Sequence, residues 1–239
     1  MSFHLSHLLL CAHSSLSAAS GVIDRSLVGR FEPKSEASSE ENQQYLFKAS
    51  SSVLLTITIP QVQPNREEEH RLLSDPEGLW SVIIVNGSWR MASTSNLEPL
   101  EFQTPIAQFV RGICSTVISQ RVNIHPIVHE LKEKLRASDD DSLFDDQQFS
   151  KSRMYHWIIK TCHETRASIQ ANLKFLQDFT TNRLPVLRGK AHVCEQHGIE
   201  HWSLRLREEI AELDNIQMEV DSLREQVREL VSLLLCHQS

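Results

Sequence analysis

The spacing of apolar residues changes along the chain, and each spacing predicts a different kind of element. "SVLLTITIP" alternates, with Leu55, Ile57 and Ile59 on one face, which is the period of a strand. Pro60 ends it, because proline has no amide to give to a ladder. "LWSVIIVNGSW" is a continuous β-branched run closed by Asn86-Gly87. Such a run predicts a strand buried on both faces, with the Asn-Gly pair as a turn.

From Pro105 the spacing becomes helical. Ile106, Phe109, Val110, Ile113 and Val117 share one face, with Pro105 suited to a first turn. "HPIVHELKEKLRAS" repeats the pattern with Ile127, Val128, Leu131 and Leu135 and predicts a second helix. A longer helix is predicted over 149–183, where Met154, Ile158, Cys162, Thr165, Ile169, Leu173 and Leu176 recur every three or four residues. Asp145 and Asp146 stand just ahead of it and complement the positive end of its dipole. Leu184-Pro185 and Gly189 mark its end, by a missing amide and a flexible backbone.

The last helix is predicted to start near Ile199, after Gly198. Leu206, Leu213, Val220, Val227 and Leu234 lie seven apart, and Ile216, Leu223 and Leu230 form a companion seam. A seven-residue repeat packs along another helix at a shallow angle. Leu213, Ile216, Val220, Leu223, Val227, Leu230 and Leu234 are therefore the candidate interface residues. Two packings fit: an antiparallel hairpin with the preceding long helix, or a coiled coil between chains. At ~1.5 Å per residue, 199–236 would span roughly 55 Å, and the helix is expected to project.

Composition adds the boundaries. Residues 14–52 are rich in Ser and Glu, too polar to bury much. The fold class expected is α+β and mostly helical: a low-order segment 1–52, a small α/β part 53–140, and a helical hairpin with a heptad-patterned stalk over 141–239. The opening "FHLSHLLLCAHSSLSAAS" has the small residues of a signal peptide but no positive start, since the first basic residue is Arg25. A short amphipathic helix or a ragged start is expected there. No stretch approaches the ~18 consecutive apolar residues of a membrane span.

Lys and Arg number 24 against 31 Asp and Glu, a net charge of -7 with no basic block. That argues against a nucleic acid as partner, because phosphate binding needs a basic footprint. Cys11, Cys114, Cys162, Cys194 and Cys236 are odd in number and have no CxxC spacing, which suits a reducing, cytoplasmic setting.

Candidate chemistry is sparse. "HVCEQHGIEHW" gathers His192, Cys194, His197 and His201, ligand types that zinc accepts. Gly198 is expected to break the segment between His197 and His201, and no second Cys/His knuckle stands near. Asp139, Asp140, Asp141, Asp145 and Asp146 form an acidic patch without the Gly and Glu positions of an EF-hand, so Mg²⁺ attraction through it would be loose. Cys162-His163 pairs a nucleophile with a base in sequence, but neighbours on a helix point about 100° apart. No catalytic residue is assigned, no enzyme is expected, and no cofactor is required.

"SDDDSLFDDQQFSKSRMYHWIIKTC" and "LRLREEIAELDNIQMEVDSLREQVRELVSLL" resemble the fungal CorA-like divalent-cation transporter family. The shared features are an acidic loop, then F-[ST]-K-S-x-x-Y-x-W opening a long helix at Phe149 to Trp157, then a stalk. "GLWSVIIVNG" is similar to that family's strand. The resemblance covers about residues 80–235. It implies a cytosolic α/β domain carrying a stalk helix that leads to two membrane spans, assembled as a homo-oligomer. Neither the spans nor the family's Gly-Met-Asn tripeptide is in this sequence, so no pore residue carries over. The expectation is a non-catalytic cytosolic-part relative, at the cytosolic face of a membrane, that self-associates through its stalk. The alternative is a soluble coiled-coil protein for an unrelated helical partner.

Overall fold

The computed structural model describes residues 1–12, 25–30, 44–57, 80–86, 104–138, 149–191 and 193–237. Four strands precede the helices: β1 (Ser2–Ala12), β2 (Arg25–Arg30), β3 (Gln44–Ile57) and β4 (Trp80–Asn86). The helices are α1 (Pro105–Ser138), α2 (Ser150–Asp178), α3 (Leu184–Lys190) and α4 (Val193–His237), with a π-turn at Phe179–Arg183. The fold is α+β and mostly helical, as the periodicity predicts. The residues fall into two compact units, one of Met1–Ser6, Ser50–Arg121 and Asn172–Glu212, the other of His7–Ala49, Val122–Ala171 and Leu213–Ser239.

In the first unit β3 lies between β1 and β4. Met1 and Leu55 exchange both backbone hydrogen bonds at 2.9 Å. β4 pairs antiparallel with β3 from Ser51 opposite Asn86 to Ile57 opposite Trp80. Phe3, Leu5, Val53 and Leu55 point inward and are buried. α1 lies close against this sheet at Gly112, where a Cβ would come within 2.8 Å of Val53 Cγ1 and 3.3 Å of Ile84 Cδ1. Glycine is needed there for the approach, whatever its cost to the helix.

The rings of Phe175 and Phe179 stand edge-on to Phe3 at 5.0 and 5.5 Å, and Phe109 joins Phe179 at 6.4 Å. Aromatic pairs favour this geometry. Asn172 adds a polar tie. Its Nδ2 donates to the Ser6 carbonyl, and its Oδ1 accepts from the Ser6 amide.

In the second unit β2 pairs antiparallel with β3 from Arg25 opposite Ala49 to Arg30 opposite Tyr45, with an irregularity between Leu27 and Gly29. Leu9, Phe47 and Ala49 form an apolar cluster with Tyr45 against it. The helical part of this unit buries Ile124, Ile127, Val128 and Leu131 of α1, Ile158, Cys162 and Ile169 of α2, and the seam of α4.

Several expectations are corrected. Within the segment 1–52 expected to be low-order, Ser2–Ala12, Arg25–Arg30 and the first part of Gln44–Ile57 are strands, with no terminal helix at Ser2–Ala12, while 13–24 and 31–43 lie outside the described residues. Inward positions of β3 include Ala49 and Ser51, both buried. Small residues at these places hid the period-two pattern. β4 is not buried on both faces: Ile83, Ile84 and Val85 are 48%, 37% and 59% exposed. The two helices expected over 105–138 are one, with Pro126 inside it. Losing one amide bond costs ~3 kcal/mol, less than burying Ile124, Ile127 and Val128 returns at ~1.5–3 kcal/mol each.

The break expected at Leu184-Pro185 is a π-turn. The Leu184 amide donates to the Phe179 carbonyl, and Asp178 and Leu184 both stay helical. In an uninterrupted α-helix the Pro185 ring would press on the carbonyl of Thr181. The wider turn relieves that contact and the chain stays helical to Lys190. Consequently only Ala191 and His192 separate α3 from α4, in place of a connection from 184 to 198. α4 begins at Val193 and passes through Gly198 without a break, so it is 45 residues long, or roughly 68 Å. Among the described residues, no helix is long and apolar enough to cross a membrane.

Candidate interaction surface on the C-terminal helix

α4 forms along its whole length because the heptad seam gives every second turn an apolar anchor and leaves charged residues elsewhere. Packing uses that seam within the chain. Leu213, Val220 and Val227 are 0% exposed, and Ile216, Leu223 and Leu234 are 3%, 5% and 8% exposed. Leu230 is half-buried. The arrangement is hairpin-like packing of α4 with α1 and α2. The seven residues read from the sequence as an interface are thus brought together, but by their own chain. The expected projection of the helix gives way to burial as far as Leu234.

Ion pairs flank the seam and fix its register. In the second unit Lys132 of α1 donates to Glu219, and Arg166 Nε of α2 lies 2.9 Å from Asp221 Oδ1. In the first unit Arg121 Nε lies 2.7 Å and Arg205 Nη2 2.8 Å from the carboxylate of Glu209, which is buried. Lys132 with Glu219, Arg166 with Asp221 and Arg121 with Glu209 join different helices, while Arg205 and Glu209 stand one turn apart on α4. Arg224 with Asp221 at 3.4 Å and Arg228 with Glu225 at 2.8 Å are also present.

The face of α4 opposite the seam carries Leu204, Met218 and Leu233, exposed at 58%, 58% and 51%. At 100° per residue these three fall within one narrow arc. Their neighbours on that arc include Glu208, Asn215, Ser222 and Glu229, so the face is mostly polar with apolar points.

The histidine-rich segment is only partly visible. His192 lies outside the described residues, and Cys194 is placed by its backbone alone within α4. His197 and His201 are exposed and one turn apart on the same helix, where Gly198 had been expected to separate them. Among the described residues, no group of three His, Cys, Asp or Glu stands where it could hold a metal ion. Asp139, Asp140, Asp141, Asp145 and Asp146 lie outside the described residues.

The two thiols within the bundle are unsuited to nucleophilic chemistry. Burial, with Glu209 adding to it, pushes the Cys114 thiol from 9.0 up to about 12. Burial likewise pushes Cys162 to about 12, against a smaller opposing effect of Arg224. Reactive thiols need the opposite shift. Cys162 faces the core, as its place in the helical pattern predicts.

No protein-family model, no curated protein and no solved structure matches the chain.

Proposed function

We propose that this chain is a non-catalytic helical interaction protein, built like the cytosolic part of a CorA-like divalent-cation transporter, with α4 in the place of the stalk. The observation that carries the reading is the order of elements. An antiparallel sheet is followed by long helices, and the longest, α4, comes last with a heptad seam and exposed leucines near its end. That is the order which the resemblance at Phe149 to Trp157 implies.

Because the inner seam is covered by α1 and α2, self-association through α4 falls to Leu204, Met218 and Leu233. The test is the size of the purified protein by light scattering, with and without Mg²⁺, for the parent and for Met218→Glu with Leu233→Glu. The parent is expected above its chain mass of 27.4 kDa, with a size that responds to Mg²⁺ and falls in the double variant. A size distribution that the double variant leaves unchanged contradicts self-association through this face. The second reading, a coiled-coil protein for an unrelated helical partner, uses the same three residues. It predicts a size indifferent to Mg²⁺.

A further inference from the structure

We propose that β4 is a docking edge for the β4 of a second copy of this chain, the two strands running antiparallel about Ile83. The proposal uses no residue of the α4 face and stands or falls apart from it.

The backbone shows which groups β4 offers. Leu55 gives both its amide and its carbonyl to Met1 on the β1 side. Leu55 faces Val82 across the β3–β4 pair, so that position is a non-hydrogen-bonded one. In an antiparallel ladder the bonding alternates by residue. Ser81, Ile83 and Val85 therefore bond to β3, while the amides and carbonyls of Val82 and Ile84 point to the other edge. Among the described residues, no strand pairs with that edge. A row of outward amides and carbonyls at strand spacing is chemistry that an extended backbone satisfies and a helix does not.

The side chains favour a copy of the same strand. Residues 80–86 contain no charge and no proline, so β4 lacks the devices with which edges usually repel one another. The chain carries a net charge of -7, yet two β4 strands meet without opposing like charges. Antiparallel pairing centred on Ile83 overlaps all of β4 and sets Val82 opposite Ile84 in bonded positions. On the outer face it sets Ile83 against Ile83. Ile83 and Val85 are exposed there at 48% and 59%, next to Leu54 at 40%. Pairing would join the two apolar strips into one surface across four strands. An edge of this length buries less than the ~800 Å² per partner of a lasting complex, so the dimer forms as concentration rises and dissociates on dilution.

The test is disulfide trapping in the full-length protein with Cys236→Ser, since Cys236 is exposed. Facing residues at a non-hydrogen-bonded position stand ~4.5 Å apart between Cα atoms, within reach of a disulfide. Ile83→Cys should give a covalent dimer under mild oxidation. Leu54→Cys, which would stand roughly 14 Å from its copy across three strand spacings, should not. Val82→Pro removes an amide that no strand among the described residues uses, and added to Ile83→Cys it should abolish trapping with the helix signal retained. Equal trapping of Ile83→Cys and Leu54→Cys, no trapping of either, or trapping that survives Val82→Pro overturns the proposal. Trapping by Ile83→Cys in a Met218→Glu/Leu233→Glu background separates this edge from assembly through α4.

Discussion

Arg121 on α1 and Glu209 on α4 form an ion pair with Nε 2.7 Å from Oε2, around a carboxylate only 2% exposed. Arg205 reaches the same group at 2.8 Å. A buried carboxylate needs such partners to remain charged without a large desolvation cost. The two guanidinium groups are themselves partly in water, which moderates the loss on removing either one. Arg121→Ala should cost about 1 kcal/mol, since Arg205 remains. Arg121→Ala with Arg205→Ala should cost about 3 kcal/mol or more, because the charge is then left unpaired. Denaturant unfolding of the parent, the single variants and the double variant measures the difference. Additive small losses would mean that Glu209 reaches water without them.

Gly112 sets the distance between α1 and the sheet. In an open helix Gly→Ala gains up to ~1 kcal/mol. At Gly112 a Cβ meets the stiff, buried Val53 at 2.8 Å, so that gain should be lost in Gly112→Ala. Gly112→Val, which adds two further methyl groups, should destabilise by about 1–3 kcal/mol. Thermal unfolding of both variants checks the order: parent at least as stable as Gly112→Ala, and Gly112→Val well below.

Gln120 is fully buried, and neither of its side-chain amide atoms has a hydrogen-bond partner among the described residues. An unmet amide in an apolar surrounding costs about 1–3 kcal/mol. Gln120→Met keeps the length of the side chain and removes the unmet groups. It should raise the unfolding midpoint by an amount equivalent to about 1 kcal/mol or more. A lower midpoint would show that the amide is engaged in the native protein.

Cys114 and Cys162 provide a pH dependence with a definite sign. Each is held near 12 in the fold against 9.0 when unperturbed. Above pH 9 the unfolded chain releases these protons and the folded chain keeps them, so stability is full below pH 9 and falls as pH rises toward 12. Unfolding at pH 8 and pH 10 for Cys114→Ala with Cys162→Ala beside the parent should show a smaller fall in the variant. At pH 8, peptide mapping after alkylation should find Cys236 modified, and Cys114 and Cys162 protected until unfolding.

The sequence made the helical part legible where side chains were large and regularly placed. Ile106, Phe109, Val110, Ile113 and Val117 of α1, and Leu213, Val220 and Val227 of α4, all lie where their spacing put them. Spacing shows which face is buried but not what buries it, so the α4 seam fitted an internal hairpin and, as the alternative, an interface between chains. The amino-terminal strands were hidden because Ala49 and Ser51 occupy inward positions of β3. β4 misled in the other direction, since a continuous apolar run can be a buried strand or an uncovered edge. Pro185 suggested a helix end because local rules do not anticipate a π-turn that makes room for it. The metal candidates His192, Cys194, His197 and His201 shared ligand chemistry in sequence, but only His197 and His201 have described side chains.

The heptad seam of α4 is closed inside its own chain, and the proposed association is left to the opposite face of the helix. Denaturant unfolding of Val220→Asp beside Met218→Asp tests it most directly. Val220 is 0% and Met218 58% exposed. Val220→Asp should lose about 4 kcal/mol or more, or fail to fold, since it buries an unpaired charge. Met218→Asp should stay within about 0.5 kcal/mol of the parent. A Val220→Asp protein that keeps its helicity and stability while an assembly falls apart would place the seam between chains and contradict the account.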